Sequence, residues 1–293
     1  MKIQELFGRS RPLFSFEFFP PKTEAGAQNL ASVIHDLKAL SPDFISVTYG
    51  AGGSTRDRTV DLVIRIQRDE GICAMAHLTS VGASRQQIGS LVEHLVENGI
   101  ENLIPLRGDF PADANPDLVV PNGFRYASEM VSFIRQQHGN RLCLAGAAYP
   151  EGHPQCRELD LDLLHLKLKV DAGLDFLVTQ LFYDNHHYFD FVARARKAGI
   201  TIPIVPGIMP ILDVAQIERI TRMCGATLPP LLQTELDRRR NDPEALLQLG
   251  VAQATAQCAD LLARGAPGIH FYTLNQSPAT RLILTALRGA GLA

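Results

Sequence analysis

The sequence contains no tryptophan, and only 7% of its 293 residues are aromatic. Its five cysteines, Cys73, Cys143, Cys156, Cys224 and Cys258, form no CxxC pair and no other metal-ligand spacing. That excludes a disulfide scaffold and a structural zinc site as the organising principle, and free thiols in a reducing cytosol are the default. The histidines are scattered, so no metal centre is expected. HExxH, a P-loop and a nucleophile elbow are all absent. No apolar run approaches the length of a membrane span. Met1-Lys2-Ile3-Gln4-Glu5 has none of the apolar core of a signal peptide. Both observations predict a cytoplasmic protein with no membrane partner. Net charge is only -3, which gives no pull toward nucleic acid. Gly50-Ala51-Gly52-Gly53 follows a strand-like run but lacks the GxGxxG spacing of an open dinucleotide-binding sheet.

A strict alternation of strand-like and helix-period segments fills the chain instead. Apolar runs at 13–20, 43–50, 73–80, 102–109, 142–150, 175–183, 203–209 and 268–275 read as strands. Helical periodicity follows each of them, at 23–40, 55–70, 84–98, 123–138, 159–172, 187–198, 213–223 and 277–288. The seventh helix is followed by an insertion at 227–248 and a further long helix at 249–264. Eight β-α units without a linker predict an α/β fold, a single (βα)8 TIM barrel spanning 1–293, with a short helical insertion before strand 8.

The first strand is the most informative. In Phe14-Ser15-Phe16-Glu17-Phe18-Phe19-Pro20-Pro21 a carboxylate sits inside an aromatic run closed by two prolines. Alternation puts Ser15, Glu17 and Phe19 on one face and Phe14, Phe16 and Phe18 on the other. A carboxylate in such a strand is either paired with a buried cation or kept for chemistry. The other strands also end in polar or special residues: Thr48-Tyr49-Gly50, His77-Leu78-Thr79, Arg107-Gly108-Asp109, Tyr149 to His153, Thr179-Gln180, Pro206-Gly207 and Tyr272 to Asn275. Barrel enzymes build their sites at that end, so the pattern favours a large ligand cleft. Taken singly, His77 reads equally as a core histidine, and Arg107 and Asp109 as a mutual pair. On the fifth helix Asp162, His165 and Lys169 lie along one face, which suits either a surface charge ladder or a polyhydroxylated or phosphorylated ligand.

Taken together, these segments resemble the bacterial 5,10-methylenetetrahydrofolate reductases over nearly the whole chain. The matching motifs are FSFEFFPP at 14–21, the run at 44–50 with Arg56-Asp57-Arg58-Thr59, His77-Leu78-Thr79, LRGD at 106–109, AAYPEGHP at 147–154, LKLKVDAGLDFLVTQ at 166–180, PGIMP at 206–210 and HFYTLN at 270–275. The resemblance implies a barrel carrying FAD that takes hydride from NADH or NADPH and passes it to methylenetetrahydrofolate. It implies a homo-oligomer, dimer or tetramer, and Glu17 as general acid. Asp109 would lie between flavin and pterin, Gln180 would contact folate and nicotinamide in turn, and Gln276 would stand near the folate. Thr48, Tyr49, His77, Arg107, Gly108, Asp109, Tyr149, His153, Asp162, His165 and Lys169 match flavin-binding positions. Departures occur at Val214, where several relatives carry an aromatic, at Gln276, often Arg or Lys, and at His165 and Leu168, which replace Asn and Arg of some relatives.

The implied reaction asks for a proton on folate N10 as the five-membered ring opens. Four phenylalanines flank Glu17 in sequence, so burial is expected to raise its pKa and keep it protonated. Asp109, close to Arg107, is expected to stay ionised and to stabilise the iminium.

Overall fold

Along β1 (Leu13–Phe18) every residue is buried, because an apolar layer covers one face of the strand and the closed barrel encloses the other. Phe14, Phe16 and Phe18 join a large cluster that includes Leu30, Ile34 and Leu37 of α1 (Glu24–Lys38) and Ile283 and Leu287 near the C-terminus. Ser15 and Glu17 point the other way, to the interior of a barrel. The computed structural model describes residues 1–49, 56–108 and 122–293; Asp109 and the glycine cluster at 50–53 lie outside the described residues.

The remaining elements follow in the predicted order: β2 (Phe44–Val47), α2 (Arg56–Asp69), β3 (Ala74–Thr79), α3 (Arg85–Glu97), β4 (Asn102–Leu106), α4 (Ala127–His138), β5 (Cys143–Ala148), α5 (Leu159–Asp171), β6 (Phe176–Thr179) and α6 (Asn185–Lys197). Beyond these come β7 (Ile204–Val205), β8 (Gly207–Ile208), α7 (Val214–Cys224), α8 (Pro230–Arg239), α9 (Pro243–Ala263), β9 (Gly268–Tyr272) and α10 (Pro278–Gly289). The strands are all parallel, in the order β7-β6-β5-β4-β3-β2-β1-β9-β8. β7 and β8 are the two halves of the predicted seventh strand. Pro206 has no N–H to give to a ladder and divides it, while its carbonyl accepts from His270 N at 2.9 Å. One half pairs with β6 and the other with β9, so a single short segment joins both edges of the sheet and closes the barrel.

The barrel interior changes character along its axis. At the N-terminal end it is apolar: Leu13, Phe44, Met75, Ile104, Cys143 and Phe176 pack together, and Ile3, Leu6 and Phe7 plug the opening. At the C-terminal end Glu17, His77, Thr79 and Tyr272 replace them, with His270 one step below. The predicted strands overrun the observed ones at that end, because those residues have left the ladder to form the loops of the mouth. The helix expected from 123 begins at Ala127, since Phe124 instead packs on the Phe133 ring at 5.3 Å and under the Arg85 guanidinium.

The insertion is α8 and an N-terminal extension of α9, which starts at Pro243 rather than 249, capped by the Asp242 side chain. α8 and α9 contribute Leu236 and Leu246 to a satellite core with Leu181, Tyr183, Met209, Ile211 and Val214. Val214 is a packing residue of this core and is 3% exposed.

Gly207 shows how tightly the closing segment fits. A Cβ there would lie 2.3 Å from the Thr179 carbonyl oxygen and 2.7 Å from the Tyr272 hydroxyl. Gly207→Ala should therefore destabilise the fold by roughly 1–3 kcal/mol through overpacking, outweighing the ~0.4–1 kcal/mol gained by stiffening the unfolded chain. A lower denaturation midpoint in urea checks this.

Candidate active site

Four strands deliver polar side chains to one point on the barrel axis. Glu17 comes from β1, Ser46 from β2, His77 from β3 and His270 from β9. The register places Glu17 opposite Ser46 on one side and Tyr272 on the other. Among the described residues the contacts converge on one carboxylate oxygen. Ser46 Oγ donates to Glu17 Oε2 at 3.1 Å, and His270 Nε2 lies 3.2 Å from the same atom. His77 Nε2 is also 3.1 Å away, at ion-pair distance but off the angle of a hydrogen bond. His270 Nδ1 lies 2.7 Å from Ser15 Oγ, which extends the chain one residue deeper. Phe44 stacks on the His270 ring at 5.9 Å and Tyr272 meets it edge-on at 5.4 Å, which fixes the imidazole plane.

This geometry corrects the expectation for Glu17. Burial by itself would raise the carboxyl pKa, but the charge of His77 and the hydrogen bond from His270 outweigh it and hold the carboxyl well below the usual range. The neighbouring phenylalanines do not enter, because alternation turns Phe14, Phe16 and Phe18 to the opposite face. Ser15, Ser46 and His270 were not singled out from sequence, although Ser15 lies two residues before Glu17 and His270 opens HFYTLN.

The predicted cofactor residues lie at the strand ends and on α5. Thr48 ends its strand with a carbonyl that accepts from Thr59 Oγ1 at 2.9 Å. Tyr49 accepts from Arg56 Nε at 2.8 Å. Arg107 Nη2 donates to Gln155 Oε1 at 2.7 Å, and Gln155 N donates to His153 Nδ1 at 3.1 Å. The His153 ring meets Tyr149 edge-on at 4.6 Å, and His153 N donates to Asp162 Oδ2 at 3.1 Å. One run of contacts thus joins the ends of β4 and β5 to α5. Gly108 has φ 85°, and a Cβ there would press on Thr79 at 2.9 Å. His165 is exposed on α5, while Lys169 turns inward and donates to the Ala147 carbonyl at 2.6 Å. Burial pushes the Lys169 pKa down to about 8 against the pull of Asp162, and burial raises that of Asp162. Among the described residues no carboxylate comes within ion-pair distance of Lys169. Glu151 is instead a latch, accepting from Thr227 N and Oγ1.

Gln180 is half-buried at the end of β6, and its Oε1 accepts from Leu181 N at 2.9 Å. Gln276 is exposed just past β9. Three buried polar atoms at the mouth, Thr48 Oγ1, His77 Nε2 and Thr79 Oγ1, have no hydrogen-bond partner among the described residues. Such groups are costly unless a ligand satisfies them. With the inward Lys169 ammonium and the side-chain-free surface at Gly108, they fit a large polar ligand bearing an anion, as FAD does. A groove of about 360 Å³ between α1 and α2, lined by Lys22, Arg58 and Asp61 among others, lies on the barrel flank.

The chain is similar to proteins of one family along its length. It is 39% identical over 295 residues to methylenetetrahydrofolate reductase (NADH) 1 of Zea mays, covering 98% of this chain and 50% of that protein. It is 37% identical over 276 residues to 5,10-methylenetetrahydrofolate reductase of Pectobacterium carotovorum, covering 94% and 89%. The chain thus spans about half the length of the plant relatives it matches and most of the bacterial one. A Clostridium thermocellum protein that binds two copies of 5-methyl-5,6,7,8-tetrahydrofolic acid shares the fold, with a TM-score of 0.68 at 15% identity over 99% of both chains. With residues 2–288 matching the family model described as methylenetetrahydrofolate reductase, the chain belongs to that family.

Proposed function

We propose that this protein reduces 5,10-methylenetetrahydrofolate to 5-methyltetrahydrofolate with electrons from NADH or NADPH, using FAD. The observation that carries the reading is the Ser15–His270–Glu17 chain, a proton path ending in a carboxyl beneath the barrel mouth. FAD, when bound, supplies the hydride relay between nicotinamide and folate. Thr48, His77, Thr79, Arg107, Asp162 and Lys169 would hold it, with Tyr49, Gly108, Tyr149, His153 and His165 around them. Asp109 belongs to the same reading as the carboxylate facing the pterin, and Gln180 and Gln276 as folate contacts. A homo-oligomer, dimer or tetramer, is part of it too.

The chain's own task in the folate step is proton delivery. The methylene carbon bridges N5 and N10 and accepts hydride readily only after N10 leaves and an N5-iminium forms. N10 leaves as an amine if Glu17 protonates it. An isolated carboxylic acid is not needed for this. His270, fixed by Ser15 and Phe44 with its Nε2 3.2 Å from Glu17 Oε2, can pass a proton to the carboxylate. Ser46 holds the carboxylate in place throughout. Gln180 can release Leu181 N and turn its amide to the ligand, since the bond it gives up is local.

Glu17→Gln keeps the shape but cannot act as an acid. In stopped-flow absorbance of the separate half-reactions it should slow the folate step at least ~10²-fold more than the nicotinamide step. Equal slowing of both steps would make Glu17 a positioning group instead.

The inward ammonium makes a second expectation. Lys169→Ala should weaken flavin retention by roughly 1–3 kcal/mol if the ammonium makes a charge-assisted bond, read as flavin absorbance after gel filtration. The sign of the pH dependence follows: the protonated ammonium binds the anion, so retention should be flat below about pH 8 and fall above it. The variant should show no such fall.

A further inference from the structure

The β1 ladder continues one residue past its last strand residue through a side chain. Asn275 Oδ1 accepts from Phe19 N at 2.8 Å, and its Nδ2 donates to Phe19 O at 2.9 Å. An amide side chain thus stands in for a peptide group and keeps Phe19 in register. Asn275 reaches back because Leu274 and Asn275 both take left-handed backbone, with φ 53° and 58°, a conformation that non-glycine residues hold only when their surroundings enforce it. Thr273 Oγ1 donates to the Glu17 carbonyl at 2.7 Å, tying the same two strand ends together.

What this anchoring presents is a phenylalanine. Phe14, Phe16 and Phe18 are at most 3% exposed, whereas Phe19 is 42% exposed. Alternation along the extended ladder places it on the same side as Ser15 and Glu17, one step nearer the mouth. A lone exposed apolar residue is ordinary. One whose backbone is fixed at both polar atoms by a strained loop, directly above the buried carboxyl, is a presented surface.

We infer that Phe19 is a substrate-binding residue, the wall against which the aminobenzoyl ring of the folate lies. The inference rests on the reading of the site proposed above. If Glu17 protonates N10, N10 lies within hydrogen-bond reach of its carboxyl. N10 is bonded directly to the aryl ring, so the ring begins one bond from that contact. The glutamate tail beyond the ring is anionic and stays in solvent, which directs the ring outward along the strand. Residues two apart on one strand face are about 6–7 Å apart, an interval that a benzene ring and its para substituent cover. The residue met there is Phe19, and ring–ring contact suits both partners.

Calorimetric titration of the flavin-loaded protein tests this with two ligands: 5-methyltetrahydrofolate, and 6-methyltetrahydropterin, which lacks the aminobenzoyl group. Phe19→Ala should weaken the folate about 3- to 10-fold and the pterin less than about 2-fold, while Phe19→Tyr, which keeps the ring, restores folate binding. An unchanged thermal midpoint verifies that the exposed position leaves the fold intact. Equal weakening of both ligands, or a folate affinity unmoved by Phe19→Ala, overturns the inference. A wild-type protein that binds neither ligand overturns the substrate reading itself and this inference with it, a distinct result.

Discussion

Burying a carboxylate at the axis of a barrel constrains everything around it. Glu17 loses most of its water, and that loss must be offset by groups that reach it from different strands. Ser46, His77 and His270 do so from β2, β3 and β9. Each strand must therefore keep its register to within less than one residue, since a slip of one would turn its polar side chain into the outer hydrophobic layer. The apolar plug below and the Pro206 break that lets one segment serve both sheet edges are what hold that register. Removing one partner from such a buried group costs about 3–5 kcal/mol in general, so the cluster is both the site's chemistry and a condition of its shape.

The architecture was legible because its signal is repetitive. Eight apolar runs, each followed by a helical period, leave few alternatives to a closed barrel, and every predicted helix is present within a few residues of its expected bounds. The split at Pro206 was written in the sequence as well, since proline cannot donate to a ladder, yet the run 203–209 reads as one strand by hydrophobicity alone. The start of α9 was missed because 243–248 lies in an insertion whose polar composition hides the Asp242–Pro243 start signal.

The site was legible by position and not by partnership. Sequence alternation correctly separated Glu17 from Phe14, Phe16 and Phe18, yet the pKa expectation used nearness in sequence and counted those same rings as its environment. What decides the carboxyl's ionisation lies on other strands, at His77 and, 253 residues away, at His270. No local pattern reveals such a contact. Only the closure of the barrel, which puts the last strand beside the first, brings HFYTLN against FSFEFFPP. The same closure explains why Ser15, unremarkable in sequence, becomes the inner end of a buried hydrogen-bond chain. The Asp162–His165–Lys169 face divided in two: Asp162 and Lys169 turn inward and His165 stays exposed, because a helix packed on a barrel buries only part of any such row.

One division of labour follows from the first and last strands alone. Their outward residues, Phe14, Phe16, Ile269 and Phe271, supply apolar contacts and hold the barrel shut. Their inward residues Glu17 and His270 meet on the barrel axis at 3.2 Å. Beyond the ladder, Thr273 and Asn275 carry the pairing on through side chains, at the expense of two left-handed residues. Backbone strain of that kind is tolerated where surrounding bonds over-determine it, and here three side-chain hydrogen bonds from β9's end to β1's end do so. This seam is therefore pinned at the mouth as well as along its ladder. A seam pinned at its open end holds the Glu17 carboxyl and the Phe19 ring in fixed register, the kind of constraint that positioning a ligand requires.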